Sequence, residues 1–87
     1  KEITPELARH LGLTEKRGLV VVQVEKNSPA EEAGMRQGDI IMEIDQKPVK
    51  NIDEYSMQIR QYKKGDTILF LIKRGGSALY LTLKIWE

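Results

Sequence analysis

Seven residues constrain this chain more than any others: Ser28-Pro29-Ala30-Glu31-Glu32-Ala33-Gly34. Ser28 with Glu31 three residues on is a capping box, Pro29 takes the first helical position, and Gly34 is a ready left-handed terminator. The punctuation predicts a helix of about one to two turns. Strands flank it. Gly18 opens Leu19-Val20-Val21-Val22-Gln23-Val24, whose apolar residues are too continuous for a strand exposed on one face, so a largely covered strand is expected. On the other side Gly38-Asp39 leads into a short strand, Ile40-Ile41-Met42-Glu43-Ile44, with turn residues Asp45-Gln46-Lys47-Pro48 after it.

The remaining segments complete a small layered unit. Thr4-Pro5-Glu6 is a helix start, Leu7, Ala8 and Leu11 form its apolar stripe, and Gly12 can end it. Asn51 with Glu54 repeats the capping signal, and Ile52, Tyr55, Ile59 and Tyr62 recur at helical spacing, predicting a helix that ends near Gly65. Thr67 to Ile72 reads as a strand and Gly75-Gly76 as a tight hairpin turn. On the return strand Leu79, Leu81, Leu83 and Ile85 share one face, and Tyr80, Thr82, Lys84 and Trp86 the other. The order predicts one mostly antiparallel α+β domain over residues 1–87, with helices closing the ends of the sheet. The abrupt start and finish suggest a domain excised from a longer chain.

Composition excludes several functions. With 14 basic and 13 acidic residues the net charge is +1, so no whole-molecule field concentrates polyanions, and nucleic acid is not an expected partner. The absence of cysteine removes disulfides, thiolate metal sites and a thiol nucleophile. No long apolar run or signal-peptide pattern occurs, so no membrane insertion is expected.

Catalytic arrangements are poorly supported. A Ser-His-Asp triad needs a histidine beside a nucleophile, and the single His10 falls on the polar flank of the first helix. One histidine among scattered acids gives no metal first shell, and no cofactor is expected. Asp39, Asp45 and Asp66 adjoin turns and Glu54 a helix start, where carboxylates routinely accept backbone hydrogen bonds. Arg74-Gly75-Gly76 reads as a hairpin turn, and Lys63-Lys64 and Lys73-Arg74 as solvated surface.

Lys16-Arg17-Gly18-Leu19-Val20 is different. A glycine after two cations and before an extended strand can leave successive amides free as an anion-accepting nest. A peptide carboxylate fits such a nest, and a sheet edge beside a helix can accept the rest of the peptide as an added strand. A glycine that merely starts a strand gives the same pattern, and the residues alone leave both readings open.

Leu11-Gly12-Leu13, Arg17-Gly18-Leu19-Val20-Val21 and the stretch Val24 to Ile41 carry a resemblance. It continues through Asp45-Gln46-Lys47-Pro48-Val49, the helix from Ile52, Lys64-Gly65-Asp66 and Lys73-Arg74-Gly75-Gly76. The chain resembles the PDZ domains of HtrA/Deg-family serine proteases. The Ser-Pro-Ala…Ala-Gly…Gly-Asp-x-Ile pattern is shared with other PDZ-bearing envelope proteases, while Leu-Gly-Leu favours HtrA/Deg.

The resemblance implies a circularly permuted PDZ β-sandwich that is itself non-catalytic, with a groove between the strand from Gly18 and the helix from Ile52. It implies Arg17, Gly18 and Leu19 as the carboxylate-binding loop, Leu19, Val20 and Val21 as the strand side of the groove, and Ile52, Ser56, Ile59 and Arg60 as the helix side. Tyr55 and Tyr62 would turn to the core. Where the family often has an apolar or aromatic residue before the loop glycine, this chain has Lys16 and Arg17. The implied partners are C-termini or extended segments of unfolded proteins, the chain's own trypsin-like protease domain and other subunits. The implied compartment is the periplasm or cell envelope. An assembly role, with the groove internally occupied, is the alternative.

Overall fold

The computed structural model describes residues 1–14 and 18–85. Among these residues three helices and five strands follow one another in the order α1 (Pro5–Leu11), β1 (Leu19–Val20), α2 (Pro29–Ala33), β2 (Ile40–Ile44), β3 (Lys47–Pro48), α3 (Ile52–Ile59), β4 (Thr67–Arg74) and β5 (Ser77–Lys84). Each helix begins as its capping residue directs: the side chains of Thr4, Ser28 and Asn51 accept from the amides of Leu7, Glu31 and Glu54. The α2 and α3 boxes close one residue early, for the Glu31 and Glu54 carboxylates accept from Asn27 and Lys50. Gly34 terminates α2 at φ 96°, a conformation that glycine alone adopts without strain.

The strands form one antiparallel sheet in the order β1-β2-β4-β5, with β3 sharing the β2 edge that β1 leaves free. The β4–β5 hairpin pairs without interruption from Thr67↔Lys84 to Arg74↔Ser77 around Gly75-Gly76. The turn after β2 is tighter than its composition implies. Asp45 and Gln46 take φ 49° and 67°, and Lys47-Pro48 already pairs back on Ile44 and Glu43. Similarly α3 stops at Ile59, and Tyr62 lies in a following turn closed by its amide on the Ile59 carbonyl at 3.1 Å.

Two apolar clusters lie on opposite faces of the β1–β2 corner. Leu19, Ile41, Ile44, Val49, Ile68, Phe70 and Ile72 form the main core, with Leu79, Leu81, Leu83 and Ile85 of the return strand packed on it. Ile3, Val20 and Ile40 form the second, capped by Leu7, Ala8 and Leu11 of α1. Alternate residues of the Leu19–Val22 run thus enter different clusters, which explains its unbroken apolar character.

That run is half-buried beyond Val20 and scarcely paired. Beyond Val20, among the described residues, Val21 is held, its amide donating to Asp39 and its carbonyl accepting from Gly38. The strand read from Leu19 to Val24 is thus shorter than expected, and β1 ends at Val20. Gly38, at φ 93°, turns the partner chain away, and no main-chain hydrogen bond reaches Val22, Gln23 or Val24 among the described residues.

Candidate functional site

The unpaired part of this edge borders a trough of about 260 Å³. Leu19 to Val24 form one wall, Ile52 and Tyr55 of α3 the other, and Ala30, Met35 and Ile41 the remaining lining, with Lys1 at one end. Ile52 stands 42% exposed at the rim. Tyr55 is half-buried against the main core, and burial raises its hydroxyl pKa above the ordinary tyrosine value. The trough therefore combines an apolar lining with an edge of unused peptide groups, the combination that accepts an extended peptide.

Polar pairs fix the walls. Arg74 sends two parallel hydrogen bonds of 2.8 Å to the Asp39 carboxylate and a third to the Gly34 carbonyl. Asp39, with no exposed surface, also accepts from the Arg36 amide. The fork joins the end of α2, the entry to β2 and the end of β4. Arg74, expected as solvated surface, is instead this buried acid's partner, and the Asp39 hydrogen bonds hold its guanidinium pKa above the ordinary value. Asp45 plays a comparable part behind α3, accepting from the Tyr62 hydroxyl and the Leu69 amide. Those bonds hold the Asp45 carboxyl below its ordinary value, the Tyr62 bond contributing most. Partial burial, and then Asp45, raise the Tyr62 hydroxyl. Asp66 and Glu54 likewise accept from the Lys63 and Lys50 amides.

The predicted site residues divide. Leu19, Val20, Val21 and Ile52 come together on the trough. Ser56, Ile59 and Arg60 lie outside its lining; Ile59 packs on the main core, and Arg60 is exposed at the end of α3. Gly18 borders a separate depression with Ile40 to Glu43, Pro48 to Lys50 and Leu71. Arg17, with Lys16 and Trp86, lies outside the described residues. His10 is exposed on α1, and no cluster of three or more metal-ligating side chains occurs among the described residues.

The first three residues supply what the sequence did not signal. Ile3 donates to the Gly18 carbonyl at 2.8 Å, and Lys1 and Val20 exchange hydrogen bonds of 3.0 and 2.8 Å. Lys1 to Ile3 is thus an added antiparallel stretch on the outer edge of Gly18–Val20. The Glu2 carboxylate reaches across to the Ile52 amide at 3.3 Å, at the positive end of α3. Both walls are tied at this end, and the free edge begins at Val22.

An antiparallel sheet with an open edge facing a helix across an apolar trough is the arrangement of a peptide-binding module, and the chain belongs to the PDZ domain family, whose profile matches residues 6–85. The relatives are HtrA-type serine proteases. A DegP-like periplasmic serine endoprotease of Chlamydia trachomatis is 34% identical over 85 residues, which are 97% of this chain and 17% of that protein. The HtrA-type protease AlgW, solved with a decapeptide, superposes with a TM-score of 0.90 at 34% identity, over 99% of this chain and 26% of that one. The HtrA3 PDZ domain bound to the phage-derived ligand FGRWV gives 0.78 at 25% identity, over 97% and 76%. This chain spans about a sixth of the length of its DegP-like relative.

Proposed function

We propose that this domain captures apolar C-terminal or extended segments of unfolded proteins by strand addition in the trough between Leu19–Val24 and α3. In a longer protein it would deliver them to, or regulate, a trypsin-like protease domain in the periplasm or cell envelope. Catalysis would reside outside this domain. The observation that carries the reading is the apolar trough with an unpaired strand edge on one side and Ile52 and Tyr55 on the other. The decapeptide and FGRWV complexes of similar domains support it.

The binding contribution is positional: a tethered substrate experiences a high effective concentration near a neighbouring catalytic site. Affinity of the isolated domain is modest, because an extended peptide loses conformational entropy on docking. Capture of a carboxylate by Arg17, Gly18 and Leu19 would require Lys1–Ile3 to leave the Gly18–Val20 edge. Titration of the domain with apolar pentapeptides, each with a free and an amidated C-terminus, tests both parts. Binding of both forms fits strand addition alone, and a marked preference for the free terminus adds carboxylate capture. Absence of binding by either form overturns the proposal.

A further inference from the structure

β5 forms the edge of the sheet opposite β1, and its outer side is unpaired. The amide and carbonyl of Leu69 both turn towards the end of β2, meeting the Asp45 carboxylate at 3.0 Å and the Asp45 amide at 2.7 Å. Thr82 stands opposite Leu69, so its peptide groups point away from β4, and by the alternation of an antiparallel ladder so do those of Ala78 and Tyr80. No main-chain hydrogen bond reaches these outward groups among the described residues. α2 meets β5 on the core side, where Gly34 approaches Leu81. Edge strands are ordinarily blunted by brevity, proline, a bulge or charge. β5 runs for eight residues without proline, pairs with β4 without a register shift, and carries one charged side chain, Lys84 at its end. Tyr80 stands 56% exposed on the face away from the core, opposite half-buried Leu71.

We infer that β5 pairs with β5 of a second copy of this chain, antiparallel about a two-fold axis at Tyr80. The partner is a second copy because the edge complements itself. In this register Tyr80 meets Tyr80 and Ala78 meets Thr82, so all three outward residues of each copy exchange both hydrogen bonds. Gly76 of one copy falls beside Lys84 of the other, and no like charges meet. The Gly75-Gly76 turn, which has no side chains, then arrives at a depression of about 290 Å³ between Pro29 and Glu32 of α2 and Thr82 and Lys84. A bare turn at one end of the edge and a depression at the other are what a two-fold axis brings together. The paired Tyr80 rings, each beside its own Leu71, add an aromatic contact. A net charge of +1 leaves little repulsion between copies. Because β5 and β1 lie at opposite edges, each copy keeps its trough open, and the inference is independent of the peptide-binding reading. One strand pair is smaller than a standard interface, so association is weak, with a dissociation constant of about 0.1–1 mM.

Sedimentation equilibrium of the 87-residue chain from about 10 μM to about 1 mM brackets that range, with amide exchange read by NMR at low and high concentration. The expected result is a mass rising towards two chains, with exchange at Ala78, Tyr80 and Thr82 slowed about twofold or more at the higher concentration. Tyr80→Lys sets two cations against each other across the axis and is expected to weaken association at least about fivefold. Tyr80→Phe keeps the ring and is expected to leave association within about twofold. A single-chain mass up to about 1 mM would overturn the inference, as would association with unchanged exchange at Ala78, Tyr80 and Thr82, or undiminished association of a folded Tyr80→Lys chain. The exchange measurement on the unsubstituted chain decides the matter even where a variant fails to fold.

Discussion

Asp39 is the residue on which the corner beside the trough depends. Its carboxylate is fully buried and is satisfied by the Arg74 fork and the Arg36 amide. Breaking a buried pair from one side leaves an uncompensated charge, so Arg74→Ala is expected to lower stability by about 3 kcal/mol in urea unfolding. A loss below about 0.5 kcal/mol would make the pair an ordinary surface contact. Arg74 lies next to the hairpin glycines, and sequence position alone suggested solvent. Only the return of β4 beside β2, at Ile40↔Lys73, brings its side chain to Asp39.

Asp45 and Tyr62 give a pH signature. The folded-state pKa of Asp45 is lowered, so its contribution is full above the unfolded carboxylate value and is lost as pH falls through the folded one. Tyr62 is raised, so its contribution is full below the unfolded tyrosine value and fades as pH rises through the folded one. Tyr62→Phe is therefore expected to flatten the stability profile at both extremes. Urea midpoints at about pH 3, 7 and 11 measure this, and an unchanged slope at the acid end would remove Tyr62 as the main cause of the Asp45 shift.

At the scale of elements, helices were legible from their caps and strands from their apolar patterns. The α2 signature fixed both ends of that helix, and the alternation of Leu79, Leu81, Leu83 and Ile85 identified the core face of β5. Pairing was less legible. The strand from Leu19 was expected to be largely covered; Leu19 and Val20 are buried, Val21, Val22 and Val24 are half-buried and Gln23 is exposed, because β2 starts too late to pair beyond Val21. Of the residues expected along the groove, Leu19, Val20, Val21 and Ile52 line the trough, and Ile59, further along α3, packs on the main core as Tyr55 does. The roles of Lys1 and Glu2 had no local signal, because they arise from contacts nineteen and fifty residues distant in sequence.

This division changes which substitutions probe binding. Leu19 is 2% exposed, so a charge there would disrupt the fold rather than the groove. Ile52→Glu, at the exposed rim, is expected to weaken apolar peptide binding by at least about tenfold while the circular dichroism melting curve stays within a few degrees. Gly18→Ala reports on the opposite side of the sheet. At φ 115° the added methyl group would sit 3.7 Å from Ile40 in a conformation that non-glycine residues avoid, so a loss of about 1–3 kcal/mol is expected in urea unfolding.

The whole molecule carries little net charge, +1 from 14 basic and 13 acidic residues, and a mainly apolar trough. Peptide capture should therefore owe little to long-range steering, and affinity for an uncharged apolar peptide with an amidated terminus should vary by less than about threefold between low and high salt. Chemical-shift mapping of the 87-residue chain during titration with such a peptide locates the binding face. The largest amide shifts are expected on Val21 to Val24 and on α3 around Ile52 and Tyr55, with the Val22 amide slowed in exchange. Shifts confined to another face of a folded domain, or none at saturating peptide, would contradict peptide binding in the trough.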